Sequence, residues 1–186
     1  MALVNTLLVV AFCWFLVVEA SPKTESLDKH NQLREKHGSP PLTLDDKLTR
    51  ECERHARELV DKGEVDQSRD TVNYGENLCH RFKDPEKCVQ DWYDEIKYYD
   101  FSKPGFDMKT SHFTALVWKK TEKMGHGQAR DRLGGTFVVV RYYPPGNVNG
   151  EFKKNVPRPI DGKDSSNLPQ VDAILVLLAF CLHFKI

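Results

Sequence analysis

Two β-like runs near the C-terminal side, Gly125 to Arg130 and Thr136 to Tyr143, constrain the fold of this chain more than any other feature. The turn between them holds Gly134-Gly135, and a link this short joins the two runs as an antiparallel hairpin. Upstream the pattern is helical. Leu44, Leu48, Cys52, Ala56, Leu59 and Val60 recur at helical spacing up to Gly63, behind a Thr43-Leu44-Asp45-Asp46 segment that resembles a capping box. Asp84-Pro85 is a second helix start, followed by a stripe of Cys88, Val89, Trp92, Ile96 and Tyr99 that has ended by Pro104-Gly105. Ser26 to His37, stopped by Gly38 and Pro40-Pro41, predicts a short first helix, and His112 to Trp118 predicts another. Glu64 to Asn73 is polar and aperiodic and Tyr74 to Leu78 is turn-like, so the whole stretch reads as loop. Helices followed by antiparallel strands predict an α+β domain and not a doubly wound sheet.

The two ends carry different information. Leu7 through Val18 is uncharged, and Val18-Glu19-Ala20 offers small side chains to a signal peptidase, so residues 1–20 read as a signal peptide cleaved after Ala20. Only the α-amino group supplies the positive n-region, which leaves an uncleaved membrane anchor as the alternative. At the other end Val171 to Phe184 is apolar but shorter than the roughly 20 residues of a spanning helix. Small and polar residues from Asp161 to Asn167 precede it, so residues 158–170 read as a linker and 171–186 as the hydrophobic tail of a glycolipid-anchor signal. A final buried or lipid-surface helix, or an unstructured tail, are the other readings. The expectation is a secreted, extracellular protein, with membrane attachment through the tail.

Between these ends, residues 26–157 suffice for one domain with its own core. Acidic and basic residues balance at 27 each and no basic stripe is interleaved with aromatics, which excludes nucleic acid as a partner. Of five cysteines, Cys13 lies in the leader and Cys181 in the tail, so three remain and one thiol stays unpaired within the domain. Cys79 and Cys88 are close enough for a local bridge in an oxidising compartment, with Cys52 left as a free, buried thiol on a helix.

Ser111 to Gly125, SHFTALVWKKTEKMG, and Phe137 to Gly150, FVVVRYYPPGNVNG, resemble the two signature segments of the CAP superfamily: cysteine-rich secretory, antigen 5 and class-one pathogenesis-related proteins, which share the SCP domain. Gly75-Glu76-Asn77 also matches the family residue for residue, whereas Ser111 stands where the family tends to carry glycine or a charged residue. The sparse cysteines, with Val140 in place of the usual cysteine, resemble the branch of the Golgi-associated plant pathogenesis-related protein. That branch is normally intracellular, and the leader departs from it. The resemblance implies a three-layer α-β-α sandwich around a central antiparallel sheet of about three strands. It also implies a cleft tetrad of Glu76, Glu95, His112 and a second histidine, which in some members binds a divalent metal, commonly zinc.

Read as a residue alone, Glu95 edges an apolar stripe, three after Trp92 and four before Tyr99. The second histidine is expected about ten residues ahead of Glu76, yet Asp61 to Asn73 has none. Glu64 or Asp66 in its place would make a harder, Ca- or Mn-like oxygen set. His55, His80 and His126 read as ordinary surface or packing residues, and Phe113, Trp118, Tyr142 and Tyr143 as core and sheet-face aromatics. The resemblance implies a non-enzymatic binding protein that recognises a lipid, a sterol or a protein receptor. The alternative is a metal-assisted hydrolase or protease in which His112, with Glu76 and Glu95, activates water.

Overall fold

In the computed structural model, which describes residues 21–67 and 73–160, the predicted hairpin is formed by β3 (Lys123–Arg130) and β4 (Thr136–Tyr143). Their antiparallel register runs from Lys123 opposite Tyr143 to Arg130 opposite Thr136. The predicted signal peptide, the end of the linker and the C-terminal tail lie outside the described residues.

Among the described residues the sheet has four strands in the order β1-β3-β4-β2, the expected three-stranded antiparallel core with a two-residue edge added. The extra one is β1 (Thr43–Leu44), which pairs parallel with Lys123 and Met124. Thr43 and Leu44 are therefore strand residues, and Asp45 is the cap of the following helix α2 (Asp46–Lys62), its carboxylate accepting the backbone N–H groups of Lys47 and Leu48. Gly63 closes α2 in the left-handed conformation, where glycine carries no steric penalty. β2 (Gly75–Arg81) corrects the loop reading of Tyr74 to Leu78. It lies antiparallel along β4, from Gly75 opposite Tyr142 to Arg81 opposite Thr136, so the ladder overrides a turn-like composition.

Alternation along β4 builds a core on each face of the sheet. Phe137 and Val139 meet Cys52, Ala56 and Leu59 of α2, together with Leu78. Val138, Val140 and Tyr142 meet the opposite layer, which contains α1 (Pro22–Glu35), α3 (Cys88–Asp94) and α4 (Ser111–Val117). The result is the α-β-α sandwich. A short α5 (Phe152–Asn155) packs Phe152 edge-on against Trp118. On the α2 face, β3 presents Gly125 and Gly127, and a Cβ at either would run into the backbone of α2 at Leu48-Thr49 or Cys52-Glu53. The helix therefore rests directly on the strand.

Two other features hold the opposite layer. Cys79 and Cys88 form a disulfide between β2 and α3, and Cys52 is a free, buried thiol. Arg34 of α1 is fully buried and its guanidinium donates to four carbonyls: Pro40 at 2.9 Å, Leu116 at 2.8 Å, Trp118 at 2.9 Å and Thr121 at 3.0 Å. It ends α4 and ties it to α1. Asp84, at the expected helix start, adopts a left-handed backbone, makes no side-chain cap, pairs its carboxylate with Lys87 and precedes a 3-10 turn, Pro85–Lys87. At the domain's end, Ile160 N–H donates to Lys36 O, so the first linker residues return to α1.

Candidate functional site

Glu95 opens a 3-10 turn, Glu95–Tyr98, that follows α3, and this puts its carboxylate at the head of α4. One oxygen, Oε2, accepts the backbone N–H groups of His112 at 3.0 Å and Phe113 at 3.1 Å. Those are helix-terminal donors with no partner inside α4. The other oxygen, Oε1, is 2.7 Å from His112 Nδ1, so Nδ1 carries a proton and donates it to the carboxylate. Trp92 stacks against the His112 ring at 6.3 Å. Glu95 is thus a helix cap and an orienting partner in one.

Glu76 lies on the α2 face instead. Its side chain is nearly inaccessible, Oε2 accepts from Arg141 Nε at 2.8 Å, and Oε1 lies 3.7 Å from His55 Nε2. Arg141 stands opposite Glu76 in the β2–β4 ladder, also approaches Glu51 of α2, and stacks over Tyr74 at 4.1 Å. The neighbouring residue Asn77 points the other way and donates to His112 O at 3.1 Å. Strand β2 is the edge of the sheet and runs between Glu76 and the Glu95–His112 pair.

The fourth corner is approached by a residue that the loop spacing could not reveal. His55, read as an ordinary residue, projects from α2 to Glu76, with Nε2 also 3.1 Å from Asp66 O and Nδ1 3.2 Å from Glu58. Its position one helical turn beyond Glu51, on the face that meets Arg141, is the available signal. The Asp66 carboxylate pairs with Lys62 at 2.6 Å, and Glu64 is exposed. His80 pairs with Asp131 at 2.7 Å and stacks on Phe137, which pins the β3–β4 turn to β2.

A buried polar chain crosses the α1 side of the sheet. Asn77 donates to the Tyr142 hydroxyl at 3.1 Å, that hydroxyl is 2.8 Å from His30 Nε2, and His30 Nδ1 donates to Ser26 O at 2.6 Å. Burial pushes the His30 imidazole down to about 3, against the pull of its bond to Ser26 O, and pushes the Tyr142 phenol up. Ser26 in turn borders a cavity of 680 Å3, open to solvent on one side, lined by α1, the Pro85–Lys87 turn, α3 and the strands β3 and β4. Its walls include Pro22, Pro85, Val89 and Val138, and His126 of β3 lies on its sheet side. His126 occupies the face opposite Gly125 and Gly127, by simple strand alternation.

The family described as the cysteine-rich secretory protein family matches residues 27–143. The chain belongs to the CAP family. It is 44% identical over 138 residues to Golgi-associated plant pathogenesis-related protein 1 of Homo sapiens, covering 71% of this chain and 90% of that one. The same branch is the one that the sparse cysteines resemble. Identity to secreted protein RBT4 of Candida albicans is 35% over 131 residues, covering 69% of this chain and 36% of that one. The structure of venom allergen-like protein 4 of Schistosoma mansoni superposes with a TM-score of 0.60 at 21% identity, over 75% of this chain and 96% of that one, and so shares the fold.

The divalent metal that this CAP family implies does not fit the residues present. Among the described residues no three His, Cys, Asp or Glu side chains are grouped so that they could hold a metal ion. Glu95 is engaged through both oxygens and Glu76 is held by Arg141 on the other face, so Glu76, Glu95 and His112 do not form one ligand set. Among the described residues no hydroxyl or thiol is hydrogen-bonded to His112: Ser111 Oγ donates to Met108 O, Thr114 Oγ1 to Asn147 Oδ1, and burial pushes the Cys52 thiol up to about 12.

Proposed function

We propose that this protein is an extracellular lipid-binding module whose ligand lies in the cavity between α1 and α3. The observation that carries the reading is the cavity itself. At 680 Å3 it falls within the range of small-molecule sites, and aliphatic and prolyl groups line much of it. The Glu95–His112 pair is spent on capping and orientation, and the acidic and histidine groups near Glu76 are bound into the sheet and α2, which leaves the cavity as the place for a ligand. Secretion is supported by the leader and by the name of the relative RBT4, and the Cys79–Cys88 bridge suits an oxidising compartment. Membrane attachment through residues 171–186 belongs to the same reading.

The test is a solvent extract of the purified protein analysed by mass spectrometry, alongside a Val138→Trp variant. Val138 is almost wholly buried on the cavity wall, so tryptophan would fill part of that space. Wild type should carry, or take up from micelles, about one lipid per chain, and the variant much less. Absence of any stoichiometric lipid from wild type after exposure to long-chain alcohols, acids and sterols would refute the reading.

A further inference from the structure

Of the asparagines in the chain, Asn149 alone is followed by glycine. The pair lies in the turn that leads into α5. Glu151 N–H donates to Val148 O at 3.1 Å and closes a four-residue turn, in which Gly150, at φ 81°, takes the left-handed position of type II. Asn149 and Gly150 are both exposed, and a Cβ at Gly150 would meet nothing within 4 Å beyond its chain neighbours. Among the described residues neither the Asn149 amide nor the Gly150 N–H has a hydrogen-bond partner. Asn147, two residues earlier, is the opposite case. Its side-chain oxygen accepts from Thr114 Oγ1 at 2.6 Å, its Nδ2 donates to Ser111 O at 2.9 Å, and a β-branched valine follows it.

We propose that Asn149 is a site of spontaneous covalent modification, its side-chain amide passing through a cyclic imide to an isoaspartyl or aspartyl carboxylate. The Gly150 amide nitrogen, having given up its proton to solvent, attacks Cγ of Asn149. An N–Cγ bond forms, the Cγ–Nδ2 bond breaks, and ammonia leaves with a proton returned by water. A second water then opens the five-membered ring. Opening at the former side-chain carbonyl leaves aspartate, and opening at the main-chain carbonyl leaves a chain that runs through Cγ with its α-carboxylate free. One water is consumed overall, and nothing is oxidised or reduced.

The turn allows this reaction at little cost. Attack requires the Asn149–Gly150 peptide plane to rotate until the Gly150 nitrogen faces Cγ. Such a flip leaves the flanking residues in place, and glycine accepts the φ of either sign that results. A single exposed backbone bond closes the turn, and one bond of that kind slows the reaction about tenfold at most. The isoaspartyl product adds a negative charge beside Glu151, whose carboxylate already pairs with Lys120, and lengthens the main chain by a methylene carbon. The turn bond then loses its register. Phe152, next along, packs on Trp118, and Asn155 holds the backbone N–H groups of Lys119 and Lys120 through its main-chain and side-chain oxygens. A change at an exposed turn therefore reaches the core through α5, independently of any ligand in the cavity.

The experiment is incubation of the folded protein in mildly alkaline buffer, followed by tryptic digestion and fragmentation of the peptide from Tyr142 to Lys153, alongside a synthetic peptide of the same residues. Asn149 should convert at a rate within about tenfold of the free peptide, with the isoaspartyl form in excess, while Asn147 stays intact over the same period. Isoaspartate is recognised in the separated peptide by enzymatic methylation of its carboxylate. Asn149→Gln, whose ring would have six members, should stay unmodified. A slowdown in the fold well beyond tenfold, or equal conversion at Asn147, would overturn the assignment. The isoaspartyl form, separated by ion exchange, should unfold at lower urea than the unmodified protein, whereas Asn149→Asp, with the same charge on an unaltered chain, should not. Identical unfolding of the isoaspartyl and unmodified forms would overturn the link to α5.

Discussion

Acidification from about pH 6.5 to about pH 4.5 tests the two buried imidazoles directly. His30 and His126 are held neutral in the fold, pushed down to about 3 and about 4, chiefly by desolvation. The unfolded chain takes a proton on each below its ordinary value of about 6.5. A depressed folded value means that stability is full above the unfolded pKa and is lost as the pH falls through the window toward the folded one. An excess proton in the unfolded state costs about 1.4 kcal/mol per pH unit, so over these two units, with half-titration at the start, each imidazole accounts for about 2 kcal/mol and the pair for about 4 kcal/mol. His126→Val removes one of the two. Urea unfolding followed by tryptophan fluorescence at both pH values gives the loss for each protein by linear extrapolation. Carboxylate contributions, common to both, cancel in the difference. The variant should lose about 2 kcal/mol less than wild type, and at about pH 7 it should be more stable by about 1 kcal/mol, because two orphaned nitrogens are gone. Equal losses within about 0.5 kcal/mol would show that His126 titrates normally in the fold and would sink the argument that it is buried and neutral.

Three further outcomes are expected. Arg34→Met should destabilise by at least about 4 kcal/mol in the same urea assay, since four buried carbonyls lose their donor at once; a loss below about 1 kcal/mol would mean that water replaces the guanidinium. Replacing Cys79 and Cys88 together by alanine should lower stability by about 2 to 3 kcal/mol, the loop-entropy figure for a bridge this local, and treatment of wild type with reductant should reproduce the shift. Phosphatidylinositol-specific phospholipase should release the full-length protein from the surface of expressing cells, while a chain ending at residue 160 should appear in the medium without treatment; retention of the full-length protein after the enzyme would exclude a glycolipid anchor.

Segments whose periodicity matched their final environment were legible from the residues alone. α2 shows its buried stripe from Leu48 to Leu59, and Thr136–Tyr143 shows the valines that fill both faces of β4. β1 and β2 were not legible, for different reasons. Thr43 and Leu44 are too few to show a period, and their strand character exists only through Lys123 and Met124. Tyr74-Gly75-Glu76-Asn77 has a turn's composition, and its extended backbone is imposed by the ladder to β4. Glu95 and His112 came from the resemblance and do meet, because a 3-10 turn after α3 faces the start of α4, a relation that sequence distance does not encode. His55 was missed because the loop spacing directed attention to residues 61–73 instead of to the helix before them. His126 was in view throughout; strand alternation next to Gly125 and Gly127 placed it on the opposite face, but only the packed structure shows that nothing answers its nitrogens.

The bare glycines of β3 have a consequence for how ligand size can vary in this fold. With no side chains between strand and α2 at Gly125 and Gly127, the helix has no adjustable layer at those two positions, and added volume there would lift it off the sheet. Any swelling must be taken up across the sheet, where α1 and α3 stand apart around the cavity. One side of the domain therefore serves as a fixed backplate. The other can be retailored by single substitutions at positions such as Val89 or Val138 to admit longer or bulkier guests, while the backplate keeps its shape.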